Sequence, residues 1–88
     1  MHPAMDKKAF PEIGARLRQI RQGFTDLNQS AFAAAHQFNQ SQYSNWENGS
    51  RRIPIDAAET LIARYGLSLD FIYLGRRDGL STKASKIV

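Results

Sequence analysis

The apolar residues of this chain recur at helical intervals. Ile13, Leu17 and Ile20 stand at positions i, i+4 and i+7 of one segment, which begins with Pro11, a residue suited to a first helical turn. A second apolar stripe follows one face of the segment 55–65. No window shows the strict alternation of apolar and polar residues that is typical of strands. The pattern therefore predicts an all-α chain.

Three further helix starts are marked by their capping residues. Asn28, Asn39 and Ser68 favour the N-cap position, because their side-chain oxygens accept hydrogen bonds from N–H groups of the first turn. Each lies between two apolar residues with the spacing of a hydrophobic staple: Leu27 and Phe32, Phe38 and Tyr43, Leu67 and Ile72. We expect left-handed residues after four helices, at Gly23, Gly49, Gly66 and Gly75. The predicted helices cover about 11–22, 29–36, 40–48, 55–65 and 69–74.

The length of the chain, 88 residues, predicts one small domain. We expect a flexible arm over 1–9, a compact five-helix domain over 10–76 and a mostly polar C-terminal tail over 77–88. A domain of this size buries only about 60% of the surface of its unfolded chain, so the core is expected to be modest.

Composition narrows the classes of function. The chain has no cysteine and two histidines, and the sequence therefore predicts neither a metal site nor a cofactor. It lacks a run of about 18 apolar residues for a membrane span and a secretion signal, so we expect a soluble, cytoplasmic protein. It also lacks a convergent nucleophile and base and a glycine-rich phosphate loop, and we expect no enzymatic activity. A net charge of +4 is only weakly indicative of nucleic-acid binding.

The third predicted helix, 40–48, has two contrasting faces. At about 100° per residue, Tyr43 and Trp46 point towards the core. The opposite face has amide and hydroxyl groups and no charge, whereas a merely solvated helix face normally carries charges. Its residues are Gln40, Ser41, Ser44, Asn45 and Asn48, with Gln42 at the edge. Because Gln and Asn can bond adenine in the major groove, this face predicts base reading. An uncharged polar surface without a partner is the alternative.

The order of residues from the second predicted helix onwards resembles that of a known family. The matching positions are Leu27-Asn28-Gln29-Ser30, Ala33, Asn39-Gln40-Ser41, Trp46-Glu47-Asn48-Gly49 and Gly66-Leu67-Ser68-Leu69-Asp70. In type and spacing they resemble the phage repressor and Cro type of helix-turn-helix, and in particular the lambdoid phage repressors. The likeness covers roughly 13–74. It implies a compact five-helix, lambda repressor-like fold and a phage or prophage-like origin.

The resemblance implies roles for individual residues. The base-reading residues that it implies are Gln40, Ser41, Gln42 and Asn45, and the exposed face of the third predicted helix adds Ser44. The phosphate-binding residues are Gln29, Asn48, Ser50, Arg51 and Arg52, and Gln29 also braces Gln40. In the family an arginine at the end of the first helix pairs with a glutamate late in the third, which implies a structural ion pair between Arg21 and Glu47.

Two other positions are notable beside the family pattern. Gln37 stands in the turn where the family usually has a glycine, and a left-handed conformation there costs a non-glycine residue about 1 kcal/mol. Tyr73 and Leu74 lie at the end of the last predicted helix, where family members often pair, and we expect them to face a partner subunit.

The functional hypothesis is a sequence-specific transcriptional regulator, and more specifically a repressor. It is expected to bind a pseudo-palindromic operator in double-stranded DNA as a homodimer, with two recognition helices about 34 Å apart. The alternative is an antitoxin-like or other protein-interaction module with the same fold, in which the tail 77–88 binds a protein partner.

Overall fold

The computed structural model describes residues 8–88, which fold into six α-helices. They are α1 (Pro11–Phe24), α2 (Gln29–Ala35), α3 (Gln40–Asn48), α4 (Ile55–Tyr65), α5 (Leu69–Leu74) and α6 (Thr82–Ile87). The predicted all-α architecture is confirmed, with a sixth helix added to the five predicted. The arm predicted over 1–9 lies almost wholly outside the described residues. No helix within the described range has both the length and the apolar character needed to cross a membrane.

The predicted helix starts are confirmed by their hydrogen bonds. The side-chain oxygens of Asn28, Asn39 and Ser68 each accept a bond from the backbone N–H three residues later, at 2.9, 3.0 and 3.0 Å. Each bond satisfies an N–H that has no partner within its helix. The capping residues therefore determine where α2, α3 and α5 begin.

Gly23 is the exception among the glycines expected to end helices. Positive φ angles occur at Gly49, Gly66 and Gly75, whereas α1 continues through Gly23 to Phe24. A Cβ atom at Gly23 would lie only 2.8 Å from Cγ2 of Ile87. This glycine therefore permits the close approach of α6 to α1.

The segment 77–88, expected to be a tail, contains α6 and packs on the domain. Ser81 caps α6 by accepting a bond from the N–H of Ala84 at 3.0 Å. Ala84 and Val88 are buried, and the Gln19 amide of α1 donates to the Val88 carbonyl at 3.3 Å. The six residues of α6 include few apolar positions, so they show little helical periodicity in the sequence. Such a short helix depends on tertiary packing for its stability.

The core lies between the helices and is rich in aromatic and branched side chains. The largest fully buried side chains are Tyr43, Phe32, Leu17, Ile20, Ile53, Leu61 and Ile72. The backbones of α1 and α3 approach so closely that a Cβ at Gly14 would lie 2.5 Å from the Glu47 carbonyl oxygen. The helix with the predicted polar face, α3, is thus held directly against α1.

The turn between α2 and α3 has the predicted left-handed residue. Gln37 has φ 62°, the only positive φ among the non-glycine residues described. The Phe38 N–H closes the turn by donating to the Ala33 carbonyl at 2.8 Å. Gln37 therefore adopts the left-handed conformation that this turn needs, at a cost of about 1 kcal/mol.

Candidate nucleic-acid interface

The outer face of α3 is a row of exposed polar side chains without charge. Gln40, Ser41, Gln42, Asn45 and Asn48 are exposed, and Ser44 is partly exposed. The Asn48 amide lies 3.5 Å from the Ser44 hydroxyl, at the limit of a hydrogen bond. We call these six residues the polar ridge. Its amides and hydroxyls can therefore turn to the donors and acceptors of an external partner.

The inner face of α3 is buried. Tyr43 is 0% exposed, Trp46 7% and Glu47 2%. The Trp46 ring meets Phe38 edge to face, with ring centroids 5.5 Å apart, and Tyr43 at 6.0 Å. These contacts fix the rotation of α3 about its axis, so the polar ridge must point outwards.

The carboxylate of Glu47 joins three helices. It accepts two bonds from Arg21 of α1, at 2.7 Å from Nε and 2.9 Å from Nη2. It accepts a third from the Gln29 amide of α2 at 2.8 Å, and a fourth from the Tyr43 hydroxyl at 2.7 Å. The ion pair implied by the resemblance is therefore present, within a larger network of buried hydrogen bonds.

The network shifts the ionisation of its members. Burial alone would raise the pKa of Glu47, but hydrogen bonds from Arg21, Tyr43 and Gln29 outweigh it and lower that pKa below its usual value. The pKa of Tyr43 is raised, first by burial and then by the hydrogen bond to Glu47. The hydrogen bond to Glu47 likewise raises the pKa of Arg21. Glu47 is therefore a carboxylate and Tyr43 a neutral phenol at neutral pH.

A groove on one side of the polar ridge brings together residues of α2 and α3. It has a volume of about 440 Å³ and is lined by Gln29, Ser30, Gln40, Ser41, Ser44 and Asn45. Gln29 and Gln40 thus share one surface, and the resemblance implied that Gln29 braces Gln40. In the structure, however, the Gln29 amide donates to Glu47 and not to Gln40. The buried carboxylate of Glu47 therefore orients the Gln29 side chain.

A second groove on the other side of the polar ridge contains two cations. It has a volume of about 450 Å³ and is lined by Gln42, Asn45, Trp46, Arg51, Arg52 and Pro54. The left-handed Gly49 turns the chain, and the N–H groups of Ser50 and Arg51 bond the Asn45 carbonyl at 3.0 and 3.2 Å. The loop after α3 therefore places Arg51 and Arg52 beside the polar ridge.

Two cations near these grooves were not among the predicted site residues. The Lys8 ammonium lies 3.5 Å from the Ser50 hydroxyl, and the Arg18 guanidinium lies 3.6 Å from Glu47. Arg18 stands three residues before Arg21 and so shares its face of α1, a signal that was readable in the sequence. The contact of Lys8 with Ser50 could not be predicted from the sequence, because it depends on the fold around Gly49.

The arrangement is suited to binding a nucleic-acid duplex. The neutral polar ridge offers donors and acceptors for base edges, and the cations beside it offer partners for phosphates. Within residues 8–88 no cluster of three metal-binding side chains occurs. The geometry thus defines a helix-turn-helix of the DNA-binding class.

Comparisons with known proteins agree with this class. A family model described as a helix-turn-helix domain matches residues 12–70. A control protein from Mycoplasma sp., C.MunI, is 33% identical over 61 residues, which is 69% of this chain and 82% of that relative. No solved structure matches the chain. The chain belongs to the helix-turn-helix domain family and is a DNA-binding transcriptional regulator, and its resemblance to phage repressors is confirmed.

Proposed function

We propose that this chain is a non-enzymatic repressor that binds an operator by placing α3 in the major groove of double-stranded DNA. The polar ridge carries this proposal, because six neutral polar residues face outwards from a helix whose other face is locked in the core. Gln40, Ser41, Gln42, Ser44 and Asn45 read base edges. Because an operator lies on the chromosome or on phage DNA, the protein acts in the cytoplasm.

Phosphate contacts position the reading helix. Gln29 lines the first groove, and Arg51 and Arg52 line the second, so the proposed phosphate ligands flank the base-reading residues on both sides. Asn48 and Ser50 are exposed at the end of α3 and are two further proposed phosphate ligands. Contacts on both sides of one helix define its register along the duplex.

A second copy of the chain completes the proposed operator complex. Ile55 and Leu74 are 52% and 62% exposed, although both are large and apolar. They border a groove of about 680 Å³ that includes Tyr73 and also reaches Arg51 and Arg52. A partner on this apolar face would adjoin the DNA-binding surface, as binding to two half-sites of a pseudo-palindrome requires.

The protein-interaction alternative has less support. Binding through 77–88 needs apolar side chains that are free for a partner, but Ala84 and Val88 are buried against this same domain. Arg77 also donates to the Ser85 carbonyl at 2.9 Å and bonds that of Val88. The segment is therefore already engaged within the chain.

Selection of bound sequences from a random DNA pool tests the function. We expect a motif with two half-sites about one helical turn apart, which reports base reading and dimerisation together. Recovery of unpatterned sequences would argue against base reading. With the selected DNA, the log–log dependence of affinity on salt should have a slope of about −8 for a dimer and about −4 for a monomer.

The subunit contact is tested separately by Leu74→Lys. Charge on an apolar contact face should weaken self-association in sedimentation experiments and lower the salt slope towards that of a monomer. Leu69→Lys is the matched control, because Leu69 is also exposed on α5 but lies about 140° away around the helix. Equal effects of the two variants would remove this face from the dimer contact.

A further inference from the structure

The ionic network around Glu47 contains more positive than negative charge. The two ion pairs found within residues 8–88 both converge on this one carboxylate, from Arg18 and from Arg21. A carboxylate has about four positions for accepting hydrogen bonds. At Glu47 they are taken by two donors of Arg21 and one each of Gln29 and Tyr43. Arg21 and Glu47 therefore neutralise each other, and the charge of Arg18 is left over.

The contacts of Arg18 differ from those of its neighbours on α1. Its Nε lies 3.6 Å from Glu47, beyond hydrogen-bond distance, and its side chain is 50% exposed. Arg16 instead donates to the Ile72 carbonyl at 3.0 Å and so ties α1 to α5. Arg21 is only 12% exposed and is committed to Glu47. Of these three arginines, Arg18 alone makes no hydrogen bond within residues 8–88, so its guanidinium can still bond an external anion.

The contacts of Arg18 define its position on the surface. Arg18 Nε and Gln29 Nε2 lie 3.6 and 2.8 Å from the same oxygen of Glu47, so the two side chains are neighbours. Gln29 in turn lines the groove that contains Gln40. Arg18 therefore stands at the α2 side of the polar ridge, whereas Arg51 and Arg52 stand at its other side.

We propose that Arg18 is a phosphate-binding residue that completes the DNA contact on the α2 side of the polar ridge, together with Gln29. This inference rests on the proposed function and adds a residue to it. The planar guanidinium matches a phosphate group, and the nearby carboxylate is already saturated by other donors. The two sides of α3 would then each carry cationic contacts to the backbone of the duplex.

Arg18→Gln tests the inference, with Arg64→Gln as the matched control. Arg64 is also exposed, but it lines a groove with Phe24, Tyr65, Gly66, Ser81 and Lys83, none of which borders the polar ridge. Both substitutions remove one positive charge, so a difference between their effects on DNA binding reports the position of the charge. For Arg18→Gln we expect about a 5- to 10-fold loss of affinity per subunit on selected and random DNA alike, and a salt slope shallower by about 0.9 per subunit, which is about 1.8 for the dimer. Arg64→Gln should leave the affinity and the salt slope nearly unchanged.

Each other outcome has a defined meaning. Equal effects of the two variants would overturn the inference, as would a loss confined to the selected sequence, which would indicate base reading by Arg18. A fall in thermal stability like that of a Glu47 variant would make Arg18 a structural partner and also overturn it. Arg18→Lys should retain the salt slope of the original protein. If the unmodified protein shows no salt-dependent DNA binding, the proposed function itself fails.

Discussion

Both faces of α3 carry polar groups, but these groups are in opposite situations. Tyr43 and Glu47 on the inner face have their polar atoms bonded within the molecule. Gln40 and Asn45 on the outer face have theirs turned to solvent. One face thus stabilises the fold and the other is available for binding. The difference separates substitutions that should affect stability from those that should affect recognition.

The largest expected effect is that of Glu47→Ala on stability. It leaves Arg21 buried without its partner, which should lower the free energy of unfolding by about 3–5 kcal/mol in urea denaturation. Asn48→Ala, at the next residue, is the control. Because Asn48 is exposed, this variant's free energy of unfolding should stay within about 0.5 kcal/mol of that of the unmodified protein. Similar losses for the two would abolish the distinction between the faces.

Acid should also destabilise the fold through the inner face of α3. The pKa of Glu47 is lowered in the folded protein, so its contribution to stability is complete above its ordinary pKa of 4.5. That contribution is lost as the pH falls through the folded pKa, because protons then bind more readily to the unfolded chain. The urea midpoint should fall between neutral pH and about pH 3 more steeply than in Glu47→Gln. Parallel pH profiles would mean that Glu47 is not the group responsible.

Tyr43→Phe should have a smaller effect, since it removes a single donor from the network. The carboxylate keeps three of its four hydrogen bonds, and we expect a loss of about 1–2 kcal/mol in the free energy of unfolding. In a Glu47→Ala background the same change should cost much less, because the acceptor is gone. Additive losses in the double variant would contradict a direct coupling of the two residues.

Much of the fold was predictable because its signals are local. Asn28, Asn39 and Ser68 mark helix starts through hydrogen bonds within four residues, and periodicity separates the two faces of α3. The six-residue α6 was not predicted, since its stability comes from packing against α1. Gly23 carried a misleading signal, because a glycine needed for close helix packing resembles one that ends a helix.

The candidate site was predictable to a similar degree. The polar ridge followed from residue type and spacing alone. The bond from Gln29 to Glu47 did not, because it depends on three helices meeting at one carboxylate. The uncommitted charge of Arg18 could not be recognised in the sequence either, since it depends on how many donors Arg21 supplies to Glu47. Local patterns therefore predicted the exposed polar face of α3, and only the tertiary structure revealed the contacts that hold this helix in place.

The most direct test of the outer face is the affinity of Gln40→Ala for selected and for random DNA, measured side by side at fixed salt. If the polar ridge reads bases, binding to the selected sequence should weaken by about 1–3 kcal/mol, with little change on random DNA and an unaltered unfolding midpoint. Equal weakening on both DNAs, or no weakening on either, would contradict base reading by α3.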